Sequence, residues 1–240
     1  MRHVLRLAVA TMMVGLLSTG ARAQCPQEAL RSMGALNPFG FPGYYFDQGG
    51  TALQPCFDIL DPLCGAIGPL PNPAAPVSVA TGNFVPEAPY SFVTSTMTLP
   101  TGGQALLVLS VLGTWGNPAA AVIDGTQTVF SRVRFRVDTP QGGLYTVTYP
   151  FGAMTFNVAA GGRRSINFTD DCLVNGTCGQ GLGFFFTTPL DPAISHIGHF
   201  LAWNPATPPA APAGYLGNPL VDHTVIGSPC LNTFTSSGVH

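Results

Sequence analysis

His196 and His199 form a pair whose type and spacing suit a metal ion. Imidazole nitrogens ligate zinc and other transition metals, and two histidines separated by two residues reach one ion from a helical turn or a bend. Such a pair needs a third ligand, for which Asp191 and His223 are the candidates. We therefore treat His196 and His199 as candidate metal ligands.

Asp170 and Asp171 present two adjacent carboxylates, with Asn175 close behind them. Clustered oxygen atoms are the ligands that a hard cation such as Ca²⁺ prefers. The spacing matches neither an EF-hand loop nor a nonapeptide repeat, and the alternative is a pair of solvated acids at a strand end. We expect no bound cofactor, with Ca²⁺ as the alternative at this pair and Asp170 and Asp171 as its candidate ligands.

Asp222, His223 and Ser228 supply the residue types of a hydrolase triad. The nucleophilic serine of an α/β-hydrolase stands in a Gly-x-Ser-x-Gly elbow, and residues 24–240 contain no such sequence. Ser228 also precedes a proline, in what we expect to be a turn. We assign no catalytic residue, and the sequence favours a non-enzymatic protein.

Arg132, Arg134 and Arg136 recur at every second position of a strand-like segment. Guanidinium groups pair well with carboxylates, so this row predicts a face for an anion or an acidic polysaccharide. The alternative is a solvated strand face with acidic or polar cross-strand neighbours. Trp115 and Trp203 are candidates for stacking on sugar rings, and the alternative is that they fill the core.

Residues 1–23 have the pattern of a secretory signal peptide. Two arginines precede the apolar segment 7–17, and Ala21 and Ala23 form an A-x-A cleavage site. No later apolar run is long enough to span a membrane as a helix. We expect cleavage near Ala23 and a secreted, periplasmic or cell-surface protein with no transmembrane segment in the mature chain.

The charge of the chain limits the partners that we expect. Its 240 residues include nine arginines, no lysine and eleven acidic residues. Removal of residues 1–23 leaves six arginines against the eleven acids, a net charge of −5. A mildly acidic protein is a poor match for nucleic acid or anionic lipid, because both need clustered basic charge.

Six cysteines follow the expected cleavage site, and an even number in an exported chain predicts three disulfides. Local spacing favours one bridge from Cys56 to Cys64. It favours a second from Cys172 to Cys178, which leaves Cys25 to pair with Cys230. Because six cysteines allow fifteen connectivities, this pairing is a hypothesis.

Short β-type segments separated by Gly, Pro, Asn and Asp follow one another from Tyr90 onward. Val133, Phe135 and Val137 fall on one face of their segment and the arginines on the other, a pattern typical of antiparallel sheets. We predict an all-β protein whose domain at 90–240 is an antiparallel β-sandwich, of jelly-roll or immunoglobulin-like type. An irregular, disulfide-stapled segment rich in Cys, Pro, Gly and aromatic residues precedes it at 24–89. The predicted strands are 90–99, 105–112, 128–138, 144–149, 154–159, 165–169 and 183–188.

Several segments resemble a recurrent group of uncharacterised secreted bacterial proteins. They are Asn37–Pro42, Cys56–Asp58, Asp61–Cys64, Tyr145–Gly152, Ile166–Asp171 and Val221–Pro229. The resemblance implies an exported, β-rich bacterial protein and brings no activity with it.

The expected function is that of a secreted, non-enzymatic structural, adhesive or ligand-binding protein, with an extracellular glycan or a surface protein as its partner. The alternative is an extracellular carbohydrate-active enzyme, a glycan hydrolase or lyase that is either metal-assisted or carboxylate-based. That enzyme would need two carboxylates or a His–Asp cluster in one cleft, and a pocket shared by Asp191, His196, His199 and Asp222 would favour it.

Overall fold

The computed structural model describes residues 30–47, 50–58, 60–64, 68–100, 102–150, 152–173 and 200–226. All regular structure in these ranges is β-strand, every strand pair is antiparallel, and no helix occurs in them. The prediction of an all-β, antiparallel protein is confirmed. The described ranges contain no helix of the length and hydropathy needed to cross a membrane.

The strands fall into one four-stranded sheet and three small ones. The large sheet has the order β4-β5-β6-β9, while β7 pairs with β8, β10 pairs with β11, and β1, β2 and β3 form the third small sheet. The strands of the described residues are β1 (Leu30–Met33), β2 (Tyr45–Asp47), β3 (Ala52–Leu53), β4 (Ala88–Thr98), β5 (Gln104–Trp115), β6 (Gln127–Thr139), β7 (Gly143–Tyr149), β8 (Gly152–Val158), β9 (Gly162–Leu173), β10 (Ala202–Trp203) and β11 (Val225–Ile226).

The two inner strands of the large sheet have different residue patterns. In β5 an apolar run is buried on both faces, because Val108 and Leu112 alternate with Leu109 and Val111 and all four are at most 5% exposed. In β6 the residues from Arg132 to Arg136 have one apolar face, since Val133 and Phe135 are buried while the three arginines lie on the other face. The alternation predicted for this strand is confirmed.

The β7–β8 hairpin packs its rings against the apolar face of β6. The Phe135 ring lies 5.3 Å from that of Tyr149 and 5.9 Å from that of Phe156, and Phe156 also contacts Phe168 of β9. Because Phe135 points away from the arginines, the hairpin contacts the face of the sheet opposite to theirs.

The N-terminal segment is more regular than its sequence predicts. We expect irregular chain at 24–89, whereas β1, β2 and β3 form a small sheet within it. Asp47 is fully buried at the end of β2, where its carboxylate accepts hydrogen bonds from the backbone N–H groups of Thr51 and Phe200. Strands of two to four residues are too short to show a period-two pattern, so only these tertiary contacts define them.

An aromatic cluster joins this segment to the large sheet. Trp115, at the end of β5, packs edge-on against Phe41 and Phe84 at ring distances of 5.3 and 5.8 Å. Its indole N–H donates to the backbone carbonyl of Val85 at 3.1 Å. Phe57 contacts both phenylalanines, so the cluster is continuous.

One of the three predicted disulfides lies within the described residues. Cys56 and Cys64 are bonded, with their Cα atoms 5.2 Å apart, which confirms that pairing. The bridge closes a loop in which the carboxylate of Asp61 accepts a hydrogen bond from the Tyr215 hydroxyl. Cys25, Cys178 and Cys230 lie outside the described residues, as does the side chain of Cys172.

Candidate functional site

The positive charge of the chain is concentrated on two neighbouring strands. Five of the nine arginines lie on β6 and β9, which pair with each other along their length. We call the surface that they share the arginine face. Its members are Arg132, Arg134, Arg136, Arg163 and Arg164.

Arg132 is the neutralised member of this row. Its Nε and Nη2 atoms donate to the two carboxylate oxygens of Asp171 at 2.7 and 2.9 Å, and Glu87 lies 3.5 Å away. The hydrogen bond with Asp171 raises the pKa of Arg132, despite partial burial. Its charge is therefore balanced within the protein.

Arg134 and Arg136 have polar but uncharged hydrogen-bond partners. Arg134 Nε donates to the Thr169 hydroxyl at 3.2 Å. Arg136 donates to the same hydroxyl at 3.0 Å and to the backbone carbonyl of Phe168 at 2.7 Å. Desolvation, and then the charges of Arg132 and Arg136, lower the pKa of Arg134. Burial is thus the main cause of the lowered pKa, and the contributions of Arg132 and Arg136 show that three positive charges lie close together along this strand.

A bulge at the start of β9 brings two further arginines to this face. Thr139 pairs with Gly162 and Val137 with Ile166, so three residues of β9 stand opposite Asp138 alone. Arg164 in this bulge has φ = 50°, in the left-handed region that non-glycine residues rarely adopt. Bulges of this kind redirect side chains and concentrate near functional sites.

A groove of about 350 Å³ lies where the bulge meets the ends of β4 and β5. Arg136, Arg163 and Arg164 line one side of it, and Thr98 and Gln104 line the other, with Leu106 between them. Arg163, Arg164, Thr98 and Gln104 are all exposed, so their polar groups are accessible.

Asp138, the one carboxylate in this groove, accepts hydrogen bonds from backbone groups. Its Oδ1 accepts the N–H of Arg164 at 2.7 Å, and its Oδ2 accepts the N–H of Gln104 at 3.2 Å. These bonds, and then the charges of Arg163 and Arg164, hold the pKa of Asp138 below its usual range. Asp138 thus stabilises the backbone of the bulge through these hydrogen bonds. The groove contains three arginines and one aspartate, so its net charge is positive.

Sequence reasoning missed Arg163 and Arg164. The available signal was the pair Gly161-Gly162, which marks a tight turn after β8 and returns the chain beside the end of β6. The shift in pairing between β6 and β9 brings both arginines to the groove that Gln104 and Thr98 also line. No feature of the residue pattern predicts this shift.

The two tryptophans are both buried. Trp115, 2% exposed, belongs to the aromatic cluster. Trp203, 7% exposed, stacks on the imidazole of His223 with the ring centroids 4.0 Å apart. The burial of Trp115 among phenylalanine rings corresponds to the alternative that it fills the core. Trp203 lines a cleft that is separate from the arginine face.

The structure does not bring Asp170 and Asp171 together. Adjacent residues of a strand point to opposite faces, and Asp171 lies with Arg132, while Asp170 is in register with the buried Val133. The charge of Asp170 acts on the hydroxyl of Tyr149 on the hairpin side. The two carboxylates are thus separated by the sheet.

The remaining metal and enzyme candidates are only partly described. His196, His199 and Asp191 lie outside the described residues, as does Ser228. His223 is 6% exposed, and its two ring nitrogens lie 2.7 and 2.9 Å from the backbone carbonyls of Thr224 and Thr207. These contacts occupy both nitrogens that would bind a metal.

A larger cleft of about 560 Å³ lies beside the Cys56–Cys64 loop. Leu53, Phe92, Leu201 and Trp203 contribute apolar walls, and none of the described residues that line it carries a charge. The Tyr215 hydroxyl at this cleft is paired with Asp61, which raises the pKa of the tyrosine. Among these two cavities, charged side chains line only the groove at the arginine face.

Comparison of the chain with protein-family models, with curated proteins and with solved structures finds no match. A function can therefore be inferred only from the geometry of the described residues.

Proposed function

We propose that this chain is an exported, non-enzymatic binding protein, built as a β-sandwich, whose arginine face binds an acidic extracellular polysaccharide. The observation that carries the proposal is the position of five arginines on two paired strands of a chain with no lysine. Only Arg132 forms a described salt bridge to a carboxylate, which leaves the charge of Arg134, Arg136, Arg163 and Arg164 to be matched from outside.

The sandwich arrangement is the architectural part of this proposal. The rings of β7 and β8 pack on one face of the large sheet, and the arginines occupy the other face. A paired strand holds the side chains of one face at fixed spacing, about 7 Å between every second residue. Fixed spacing suits a polymer that repeats its charge at regular intervals.

The chemistry of arginine also favours this ligand class. A planar guanidinium binds a carboxylate or sulfate through two parallel hydrogen bonds, and it remains charged at any physiological pH. A protein with a net negative charge would repel a polyanion over most of its surface, so binding would be confined to the one face where the arginines gather.

Affinity electrophoresis of the mature protein tests the proposal. We expect gels that contain polygalacturonate, alginate or dextran sulfate to retard the protein, and neutral dextran to leave its mobility unchanged. The double variant Arg134→Gln/Arg136→Gln should lose most of the retardation, and added salt should weaken it in the wild type. Arg31→Gln, which removes one arginine at the N-terminal sheet, is the control for loss of positive charge away from the arginine face.

Two outcomes would overturn the proposal. One is mobility that no acidic polymer changes at low salt. The other is equal retardation of the wild type and the double variant, with thermal melting showing that both are folded.

A further inference from the structure

We infer that the groove at the β9 bulge is the subsite that holds one uronate unit of the ligand. The inference deepens the proposed function and depends on it. Arg163, Arg164 and Arg136 would bind the sugar carboxylate, and Thr98 and Gln104 would bind its hydroxyl groups across Leu106.

The groove is positively charged on one side and polar but uncharged on the other. An acidic sugar has the same division, with a carboxylate at one end and hydroxyl groups at the other. Guanidinium groups lie at the β6 and β9 side, while a hydroxyl and a carboxamide lie at the β4 and β5 side. Pairing places Thr98 opposite Gln104 and places Leu106 opposite Arg136. The half-buried Leu106 thus offers an apolar floor between the two polar sides, suited to the C–H face of a pyranose ring.

The chain itself shows how an arginine of this face binds a carboxylate. Arg132 holds Asp171 through two parallel hydrogen bonds, on the same strand and face as Arg136. No described carboxylate forms a salt bridge of this kind with Arg136, Arg163 or Arg164. A uronate carboxylate in the groove would repeat the Arg132–Asp171 arrangement with a ligand in place of the aspartate.

The backbone of the groove is fixed before any ligand arrives. Arg164 keeps a left-handed conformation that is unfavourable for an L-residue. The Asp138 carboxylate stabilises this conformation through the N–H groups of Arg164 and Gln104. Strain of this kind persists where the surrounding structure enforces it, and it concentrates at binding sites.

Isothermal titration calorimetry of the mature protein with uronate tetrasaccharides tests the inference. The probes are the tetramers of galacturonate, mannuronate and glucuronate, their methyl esters, and tetraglutamate as an acid without sugar hydroxyls. At least one uronate tetramer should bind, and its methyl ester should not. Arg163→Gln and Arg164→Gln should each weaken its binding about tenfold, as expected for loss of one charge-assisted contact.

A second pair of variants separates sugar recognition from charge. Thr98→Val and Gln104→Met keep side-chain size and remove the polar groups. We expect them to weaken binding of the uronate tetramer severalfold and to leave tetraglutamate binding unchanged. Arg31→Gln and Gln141→Met, which lie outside the groove, are the controls and should match the wild type.

The results distinguish failure of the inference from failure of the proposed function. If Arg134→Gln/Arg136→Gln abolishes binding of acidic polysaccharide while Arg163→Gln, Arg164→Gln, Thr98→Val and Gln104→Met have no effect, the inference is wrong and the proposed function stands. If no acidic saccharide binds the wild type, both are wrong.

Discussion

Arg132 binds Asp171 across β6 and β9 with two hydrogen bonds, from Nε to Oδ1 at 2.7 Å and from Nη2 to Oδ2 at 2.9 Å. The two residues are directly paired in the register of the strands, and the arginine side chain is 14% exposed. The protein thus supplies its own carboxylate to one end of the arginine face.

Asp171→Asn should strengthen binding of acidic polysaccharide, because it removes the closer of the two carboxylates that balance Arg132 and leaves only Glu87 at 3.5 Å. We expect severalfold tighter binding of polygalacturonate, together with a loss of about 1 kcal/mol in the free energy of unfolding. Affinity electrophoresis and urea denaturation measure the two effects. Asp124→Asn removes the same charge from the 116–126 loop and should not change binding. Weaker binding by Asp171→Asn would contradict the prediction.

Loss of the Cys56–Cys64 bridge should destabilise the protein without changing its anion binding. The double variant Cys56→Ser/Cys64→Ser should lose roughly 2.5 kcal/mol, as expected for release of a loop of this length. Thermal melting measures this change. An unchanged melting temperature would show that the bridge contributes no stability.

Asp138 should titrate below the usual range of aspartate. Because its folded pKa is lowered by the N–H groups of Arg164 and Gln104, its contribution to stability is present above the unfolded pKa of about 4. That contribution is lost as the pH falls through the folded pKa. Carboxyl NMR gives the pKa, and urea denaturation of the wild type and Asp138→Asn should show their difference in stability shrinking in acid. Titration at or above pH 4 would refute the assignment.

Tyr149 should ionise late in an alkaline titration. Burial, and then the charge of Asp170, raise its pKa to about 12. The neutral hydroxyl therefore contributes stability that is present below the unfolded pKa of about 10 and is lost as the pH rises through the folded value. The difference in phenolate absorbance between the wild type and Tyr149→Phe measures this pKa. Asp170→Asn should lower it, and burial should still keep it above 10.

Gly113→Ala should destabilise the aromatic cluster. A Cβ atom at this position would lie 3.0 Å from two ring carbons of Phe41, which is itself 1% exposed and has little room to move. We expect a loss of about 1–3 kcal/mol in urea denaturation. Adding Phe41→Leu should recover part of this loss, since the smaller side chain relieves the contact. Additive losses in the double variant would contradict this mechanism.

The central part of β6 could be predicted from sequence because its residues alternate. The alternation at Val133, Arg134 and Phe135 places charge and apolar surface on opposite faces, and the structure agrees. The Cys56–Cys64 bridge was also predictable, because eight residues with a proline turn can bring two cysteines together. Both features depend on neighbours in the chain.

The features that prediction missed depend on tertiary contacts. The bulge at Arg163 and Arg164 is a register slip between strands that are separated by a hairpin, and no periodic pattern records it. The core-filling alternative for Trp115 depends on Phe41 and Phe84, which lie far away in sequence, so the local pattern could not decide it. The sequence thus predicts the middle of the arginine face and leaves its end, the groove, to the fold.

Thr139 and Gly162 stand opposite each other, so the chain leaves the large sheet after β6 and rejoins it at β9 from adjacent positions. The excursion between them, residues 140–161, carries the hairpin that contacts the opposite face. A change in the number of residues at its tip would leave the residue pairing between β6 and β9 unchanged. The register that fixes the positions of the arginines therefore does not depend on the length of this hairpin, whose buried rings still have to fit against Phe135.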